Sequence, residues 1–397
     1  MYAMQQNHVK PIVPLSLLKR FDVSGPRYTS YPTADRFVEA FDAATYGNWL
    51  SKRHLTPRPL SLYFHIPFCK SICYYCACNK VITKDHGRSA RYVNYLAKEM
   101  ALTTAHMRGA RQVVQMHFGG GTPTTLSSQQ LATILATSKQ MFGLTPNAEV
   151  TVEAHPGSVT RDSLAHLREA GFTRISFGAE SMDQTELDRV GRPGSPMSTM
   201  QVVAAAREVG FADINLDLMY GLPGQTLESW ATSLQRTIEL TPTHLSCYAL
   251  TVEDGTHLKA AVQRGLVPPP DEALQNAMED LAENILSQTG YVRYEISNYC
   301  RPGFASRHNR LHWTGGHYLG VGPSAQSYVA GRRFGNVSNL SAYNTTLGSG
   351  RLPVSESDQL TLADDSCERL VFGLRLTDGV SLRETGALSF PALTEKV

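Results

Sequence analysis

YFHIPFCKSICYYCACNK (Tyr63–Lys80) places four cysteines, Cys69, Cys73, Cys76 and Cys78, within ten residues. They follow directly on an apolar run, Ser61–Ile66, that reads as a strand. The first three have the spacing C-x3-C-x2-C. Three thiolates can hold a cubane [4Fe–4S] cluster and leave its fourth iron open to a small molecule. A four-cysteine zinc knuckle is the alternative. Zinc sites usually draw on two separated cysteine pairs, whereas here all four share one loop and the last gap is a single residue.

Outward from this loop the chain repeats a strand-then-helix pattern. Six apolar, β-branched or aromatic runs stand out: LYFHI (62–66), VVQMHF (113–118), EVTVEA (149–154), RISFGA (174–179), INLDLM (214–219) and HLSCYAL (244–250). Helical periodicity lies between them, over Ala90–His106, Gln129–Met141, Arg161–Ala170, Met197–Glu208 and Leu227–Leu240. Such alternation implies parallel pairing through right-handed crossovers. Six units make three-quarters of a TIM barrel, so the expected fold is α/β, an open (β/α)6 partial barrel with a small C-terminal α+β extension. The expected division is an N-terminal arm over 1–55, the barrel over 56–265 and the extension over 266–397, with a shortened helical end. The Pro-rich GLVPPPDE (265–272) reads as a linker, Glu272–Thr289 as a helix and YVRYEISNY (291–299) as a strand.

Length and charge bound the function. The 397 residues carry 42% apolar side chains and a net charge of +2. That balance gives no reason to expect nucleic acid or an acidic membrane surface as a main partner. No run is long and apolar enough for a stable membrane span, and MYAMQQNHVKPIVPL (1–15) lacks a signal-peptide core. Seven cysteines, four of them clustered, fit a reducing compartment, and the expected location is cytoplasmic.

In αβ barrels the loops after the strands converge on one face, which carries the site. The first strand runs into the cysteine loop, and the second into Gly119, Gly120, Gly121, Thr122 and Pro123. Glycines there permit close backbone approach, with amides free to bond a ligand. The third strand ends at Glu153, the fourth at Gly178 and Glu180, and the fifth carries Asp217 ahead of YGLPGQT (220–226). Each carboxylate alone also fits an N-cap or a rim ion pair, and the glycine run a tight turn.

The cysteine spacing resembles that of radical S-adenosylmethionine (SAM) proteins. Its flanks, HIPFC-x3-C-x2-C-x-C, resemble the oxygen-independent coproporphyrinogen III oxidases (HemN) and their relatives. Those relatives include the HemW heme chaperones and the class C radical SAM methyltransferases. The likeness runs from residue 20 to about 380. It implies a barrel of the radical SAM type, with Cys69, Cys73 and Cys76 holding a [4Fe–4S] cluster and Cys78 matching an extra cysteine that is not a ligand. HFGGGTP (117–123), with Gly119, Gly120, Gly121 and Thr122, resembles the segment that meets the methionyl amino group of SAM. Glu153, Arg192 and Asp217 match SAM-site residues, and Tyr63 matches a tyrosine near cluster and SAM. Glu180 stands where many relatives have Gln, a change that removes two donors and adds a charge.

The two halves resemble different branches. FDVSGPRYTSYPTADRF (21–37) and the cysteine loop are similar to the oxidase; VEAHPG, LDLMYGLPGQT, HLSCYALTVEDGT and YEISNYCRPGF are similar to HemW. The HemW H-N-x-x-Y-W motif appears as HNRLHW (308–313), with His312 in place of Tyr. His308 and His312 lie four apart, so they can share a helical face as ligands or pack there as ordinary side chains. At the C-terminus only LTLADDSCERLVFGLRL (360–376) and a short tail stand where the oxidase has a larger helical domain. The mosaic favours a class C-type C-methyltransferase using two SAM molecules on an aromatic or quinone-like carbon. The oxidase, acting on a tetrapyrrole, and the heme chaperone are the alternatives. All three imply a reducing electron donor such as flavodoxin or ferredoxin.

Overall fold

The computed structural model describes residues 43–51, 59–108, 112–329 and 331–381, with single positions 16, 20, 383 and 385. The arm segment 21–37 lies outside the described residues. The six expected strands are present as β1 Leu60–Ile66, β2 Val113–Gly120, β3 Leu144–Ala154, β4 Arg174–Glu180, β5 Asp213–Tyr220 and β6 His244–Ala249. Each leads to a helix: α1 His86–His106, α2 Ser128–Phe142, α3 Arg161–Ala170, α4 Pro196–Glu208, α5 Leu227–Glu239 and α6 Glu272–Gln288. Neighbouring barrel strands pair in parallel. The fold is therefore the α/β barrel type expected from the sequence.

Alternate residues of these strands face opposite ways, and the two faces differ in chemistry. Leu62, Phe64, Met116, Phe118, Val150, Val152, Ile175, Phe177, Ile214, Leu216 and Leu245 pack with helix residues such as Leu131, Leu164, Val203 and Trp230 in one buried core. Phe118 stacks on Phe64 at 4.7 Å and meets Phe172 edge-on at 5.1 Å. Truncating such a residue to Ala costs about 3–5 kcal/mol. The other face carries Tyr63, His117, Thr151, Glu153, Ser176, Asn215, Asp217 and Ser246, in register across the strands. A parallel sheet covered on both faces normally reads as apolar throughout; here one face lines a polar lumen.

The helices start on side-chain caps. Ser127, Thr160, Ser195 and Thr226 each form a capping box at the start of α2, α3, α4 and α5. Each cap contributes about 1 kcal/mol and fixes where the preceding loop ends. The loops between strand end and cap carry the unusual residues.

The remainder of the chain extends the same sheet. Its strands are β7 Val292–Glu295, β8 Asn298–Cys300, β9 His317–Val321, β10 Gln326–Val329, β11 Arg332–Asn336 and β12 Val354–Gln359. Its helices are α7 Arg307–Trp313, α8 Leu340–Gly348 and α9 Leu362–Gly373. The full order is β12-β11-β10-β9-β1-β2-β3-β4-β5-β6-β8-β7. β9 joins parallel to β1, so a seventh parallel strand closes over the first edge. The stretch expected as one strand over 291–299 is instead the hairpin β7–β8. Ser297 turns the chain there, its amide bonded to Glu295 at 3.2 Å and its carbonyl to the Cys247 amide at 2.8 Å. Trp230 of α5 donates its indole N–H to Met278 O of α6 at 2.9 Å, which fixes α6 against the barrel. Buried Glu99 of α1 ties the extension down: Gly322 N and Asn336 Nδ2 donate to its carboxylate at 2.8 and 2.6 Å, and the Tyr343 hydroxyl donates as well.

Candidate active site

The cysteine loop begins where β1 ends. Phe68–Cys69 forms a two-stranded parallel ribbon with Val81–Ile82, closing the loop at its base. Inside it, Cys76 N bonds Cys73 O at 3.1 Å in a tight turn, and Lys80 Nζ donates to Cys76 O at 2.7 Å. Tyr74 N bonds Val190 O at 2.9 Å, and Leu258 N bonds Tyr74 O at 2.8 Å, so loops after β4 and β6 hold the turn in place. All these cysteines are free thiols.

The thiols differ in acidity. A hydrogen bond from the Cys78 thiol, helped by Lys80 and Arg192, brings Cys76 down to about 6 against its burial. The same bond, with burial, pushes Cys78 up. Burial raises Cys69, whose Sγ lies 3.5 Å from Thr122 Oγ1. Cys73 Sγ accepts from Arg192 Nη1 at 3.5 Å. Among the described residues no three of Cys, His, Asp and Glu form a set that could hold a single metal ion. A cubane takes one thiolate at each of three separate irons, so it spreads its ligands wider than one ion does. The donor set of Cys69, Cys73 and Cys76 fits such a cluster better than zinc.

The glycine run after β2 packs tightly. A Cβ on Gly119 would sit 2.9 Å from Glu153 Oε1, and one on Gly121 2.8 Å from Phe68 O. Gly120 has φ +113°, a conformation that L side chains rarely adopt. The amides are less open than expected. Gly121 N bonds Ile66 O and Thr122 N bonds Phe68 O, both at 2.8 Å. These two peptides fasten the run to the base of the cysteine ribbon, which occupies the donors a ligand would use.

Three carboxylates converge beyond this run. Glu153 Oε1 lies 2.8 Å from His117 Nε2, with its side chain 40% exposed to the lumen. Asp217 accepts from Ser176 Oγ at 2.9 Å and Asn215 Nδ2 at 2.8 Å. Burial and then the Glu153 charge raise its pKa. Glu180 ends β4 with φ +64°, beyond a register shift, and pairs with Arg192 at 3.2 Å. Burial raises the Glu180 pKa, with Arg192 opposing. Arg192 Nη2 also donates to Gly178 O at 2.6 Å, possible only because Gly178 has no Cβ. Arg192 thus bridges Glu180, β4 and Cys73.

Tyr63 sits deeper, in a stack of rings. Its hydroxyl meets His65 Nδ1 at 3.1 Å, and its ring lies parallel to His117 and His308, 6.0 and 6.1 Å away. His117 and His308 stack at 4.1 Å, and His312 meets His308 edge-on at 4.7 Å. His308 and His312 do share a face of α7, turned toward the lumen. Burial lowers both pKa values, that of His312 to about 4, so the two rings are neutral near pH 7. His65, Ser176, Asn215 and above all His117 were not singled out in the sequence. Their signal is the polar alternation within each strand.

Residues 63–236 match the Radical SAM superfamily model. An oxygen-independent coproporphyrinogen III oxidase of Pseudomonas aeruginosa is 36% identical, over 89% of this chain and 80% of its own length. The chain belongs to the HemN/HemW family of radical SAM proteins. The heme chaperone HemW of Mycobacterium tuberculosis strain H37Rv is also 36% identical, over 83% of this chain and 85% of its own. The solved structure of coproporphyrinogen III oxidase (HemN) from Escherichia coli superposes with a TM-score of 0.81 at 29% identity, covering 94% of this chain and 87% of that one. The radical SAM family implies a [4Fe–4S] cluster and SAM. These relatives bear the names of the two alternatives, oxidase and chaperone, and shift the balance away from the expected methyltransferase. No helix among the described residues is long and apolar enough to cross a membrane.

Proposed function

We propose that this chain is a radical SAM oxidase of the HemN kind, acting on the propionate side chain of a coproporphyrinogen-type tetrapyrrole. The observation that carries the reading is the match to the HemN structure over 94% of the chain. When bound, a reduced cluster with SAM on its open iron supplies a 5′-deoxyadenosyl radical that removes one hydrogen atom from substrate. Cys69, Cys73 and Cys76 would hold the irons. Glu153 and Asp217 present negative charge to the cationic SAM, and Arg192 presents the positive charge that suits its carboxylate. The Gly119–Gly121 backbone gives close access beside Glu153. Tyr63, His117 and His308 offer flat ring surfaces below, suited to the pyrrole rings of such a substrate.

A HemW-type chaperone is the second reading, favoured by the equal 36% identity and by α7, which sets the HNRLHW histidines in the lumen. Anaerobic reaction with SAM, dithionite and coproporphyrinogen III tests both. The oxidase, given a one-electron acceptor for the electron left when the substrate radical loses its carboxylate, yields carbon dioxide, a vinyl side chain and 5′-deoxyadenosine. Stoichiometric heme binding with no turnover overturns it for the chaperone. Substrate-dependent S-adenosylhomocysteine would restore the methyltransferase and its second SAM.

A further inference from the structure

The outer wall of the cysteine loop is thin and strongly basic. Ile82 pairs with Cys69 across the two-stranded ribbon, and Thr83 N bonds Cys69 O at 2.9 Å. Ile82 is nevertheless 45% exposed. One backbone strand therefore separates the first cysteine from solvent. Lys84 follows two residues on, and Arg88 and Arg91 project from the first turns of α1. At i and i+3 these arginines share one helical face. They line one recess with Val81, Tyr92, Asn339 and Leu340. All three basic residues are exposed.

Among the described residues none of the three has a carboxylate within ion-pair distance. Residues 70–98 hold six Lys or Arg against a single acid, Asp85, in a chain whose net charge is only +2. Asp85 is engaged as the cap of α1, accepting from Gly87 N at 2.8 Å. This segment alone has a net charge of +5, against +2 for the whole chain. Exposed basic side chains without an ion-pair partner suit a negatively charged protein that docks briefly.

We propose that Lys84, Arg88 and Arg91, which follow the outer strand of the ribbon, form the docking surface for an acidic one-electron carrier protein. A cluster on Cys69, Cys73 and Cys76 must receive its electron from outside. Its other side faces the lumen, where Glu153, Asp217 and Arg192 converge, so the ribbon is the accessible wall. In the transfer the carrier is oxidised by one electron and the cluster is reduced by one; no bond forms or breaks. The inference rests on the cluster site and not on the choice of substrate.

The test uses reconstituted holoenzyme without any tetrapyrrole, so it stands apart from the oxidase assay. Cluster reduction is followed by loss of visible absorbance and by electron paramagnetic resonance. The reductant is either a reduced flavodoxin, as the acidic carrier, or dithionite. In K84E/R88E/R91E the flavodoxin rate at low salt should fall at least about tenfold, while the dithionite rate stays within about threefold of wild type. Rising ionic strength should slow the wild type and close the gap between the two proteins. R88Q/R91Q should fall between them, and serves as the main variant should charge reversal lower the iron content. Equal flavodoxin rates in wild type and variant would overturn the proposal. So would equal slowing with dithionite, which would mean a damaged loop, or a wild type that flavodoxin does not reduce.

Discussion

His117 offers a sharp test of whether the lumen serves SAM. Its Nε2 lies 2.8 Å from Glu153 Oε1, and Gly119 lets that carboxylate rest against the backbone. With Glu153 in the role proposed for it, His117 positions a SAM-binding group without touching SAM. Hydrogen bonds to charged groups contribute about 1.5–3 kcal/mol. The Glu153 side chain is 40% exposed, so water replaces part of any lost bond. The lower end, about 1.5 kcal/mol, then applies, which is a little over tenfold in affinity. His117→Leu should weaken SAM binding to the reconstituted protein by about that factor in anaerobic calorimetry, with iron content unchanged. His117→Gln, which keeps a donor at similar reach, should stay within about threefold of wild type. The double variant H117L/E153A should bind no worse than E153A alone, because the two residues act through one contact. Wild-type affinity in H117L would refute the reasoning. Equal losses in H117L and H117Q would assign the effect to ring packing on His308 instead.

Iron and sulfide should be lost from Cys69→Ala, Cys73→Ala and Cys76→Ala and kept in Cys78→Ala; retention in Cys76→Ala would contradict the cluster assignment. In Glu180→Gln, Arg192 loses its charged partner and gains freedom to meet a SAM carboxylate, so SAM should bind about threefold tighter or better; unchanged or weaker binding, by calorimetry, would show that the pair does not compete with SAM. Burial holds buried Glu99 at about 7, above its ordinary 4.5. The folded state therefore binds this proton more tightly than the unfolded state. The contribution is full below pH ~4.5 and is lost as pH rises through ~7, an upper bound of about 3 kcal/mol. The Tm of wild type should fall relative to Glu99→Gln between about pH 5 and 8, and parallel Tm profiles would refute the assignment.

The barrel was legible because most strands are short apolar runs ended by glycine, proline or a carboxylate, and the helices open on Ser, Thr or Asp caps. Those signals are local, and they placed Glu153, Glu180 and Asp217 at strand ends. The polar lumen was not legible in the same way. His117 is hidden in VVQMHF because a strand of a covered parallel sheet is expected to be apolar on both faces. Its partner His308 comes from α7, far along the chain, and no local pattern joins the two. The seventh parallel strand was missed for a similar reason: HYLGV (317–321) is short, and its pairing with β1 depends on the crossover, not on its own residues.

Arg192 and Glu180 show where a departure from the family pattern acquires meaning only in three dimensions. In sequence, GAE in place of GVQ is one changed side chain. In the structure, Glu180 adopts a left-handed backbone conformation uncommon for a residue with a Cβ. It meets an arginine that also touches Cys73 Sγ and Gly178 O. Truncating either partner of such a largely buried pair would leave the other charge poorly solvated. The two therefore hold each other at the junction between the cysteine loop and the end of β4. A change in charge at residue 180 is thus felt at Cys73 through one guanidinium, so the end of β4 and the cysteine loop are not independent.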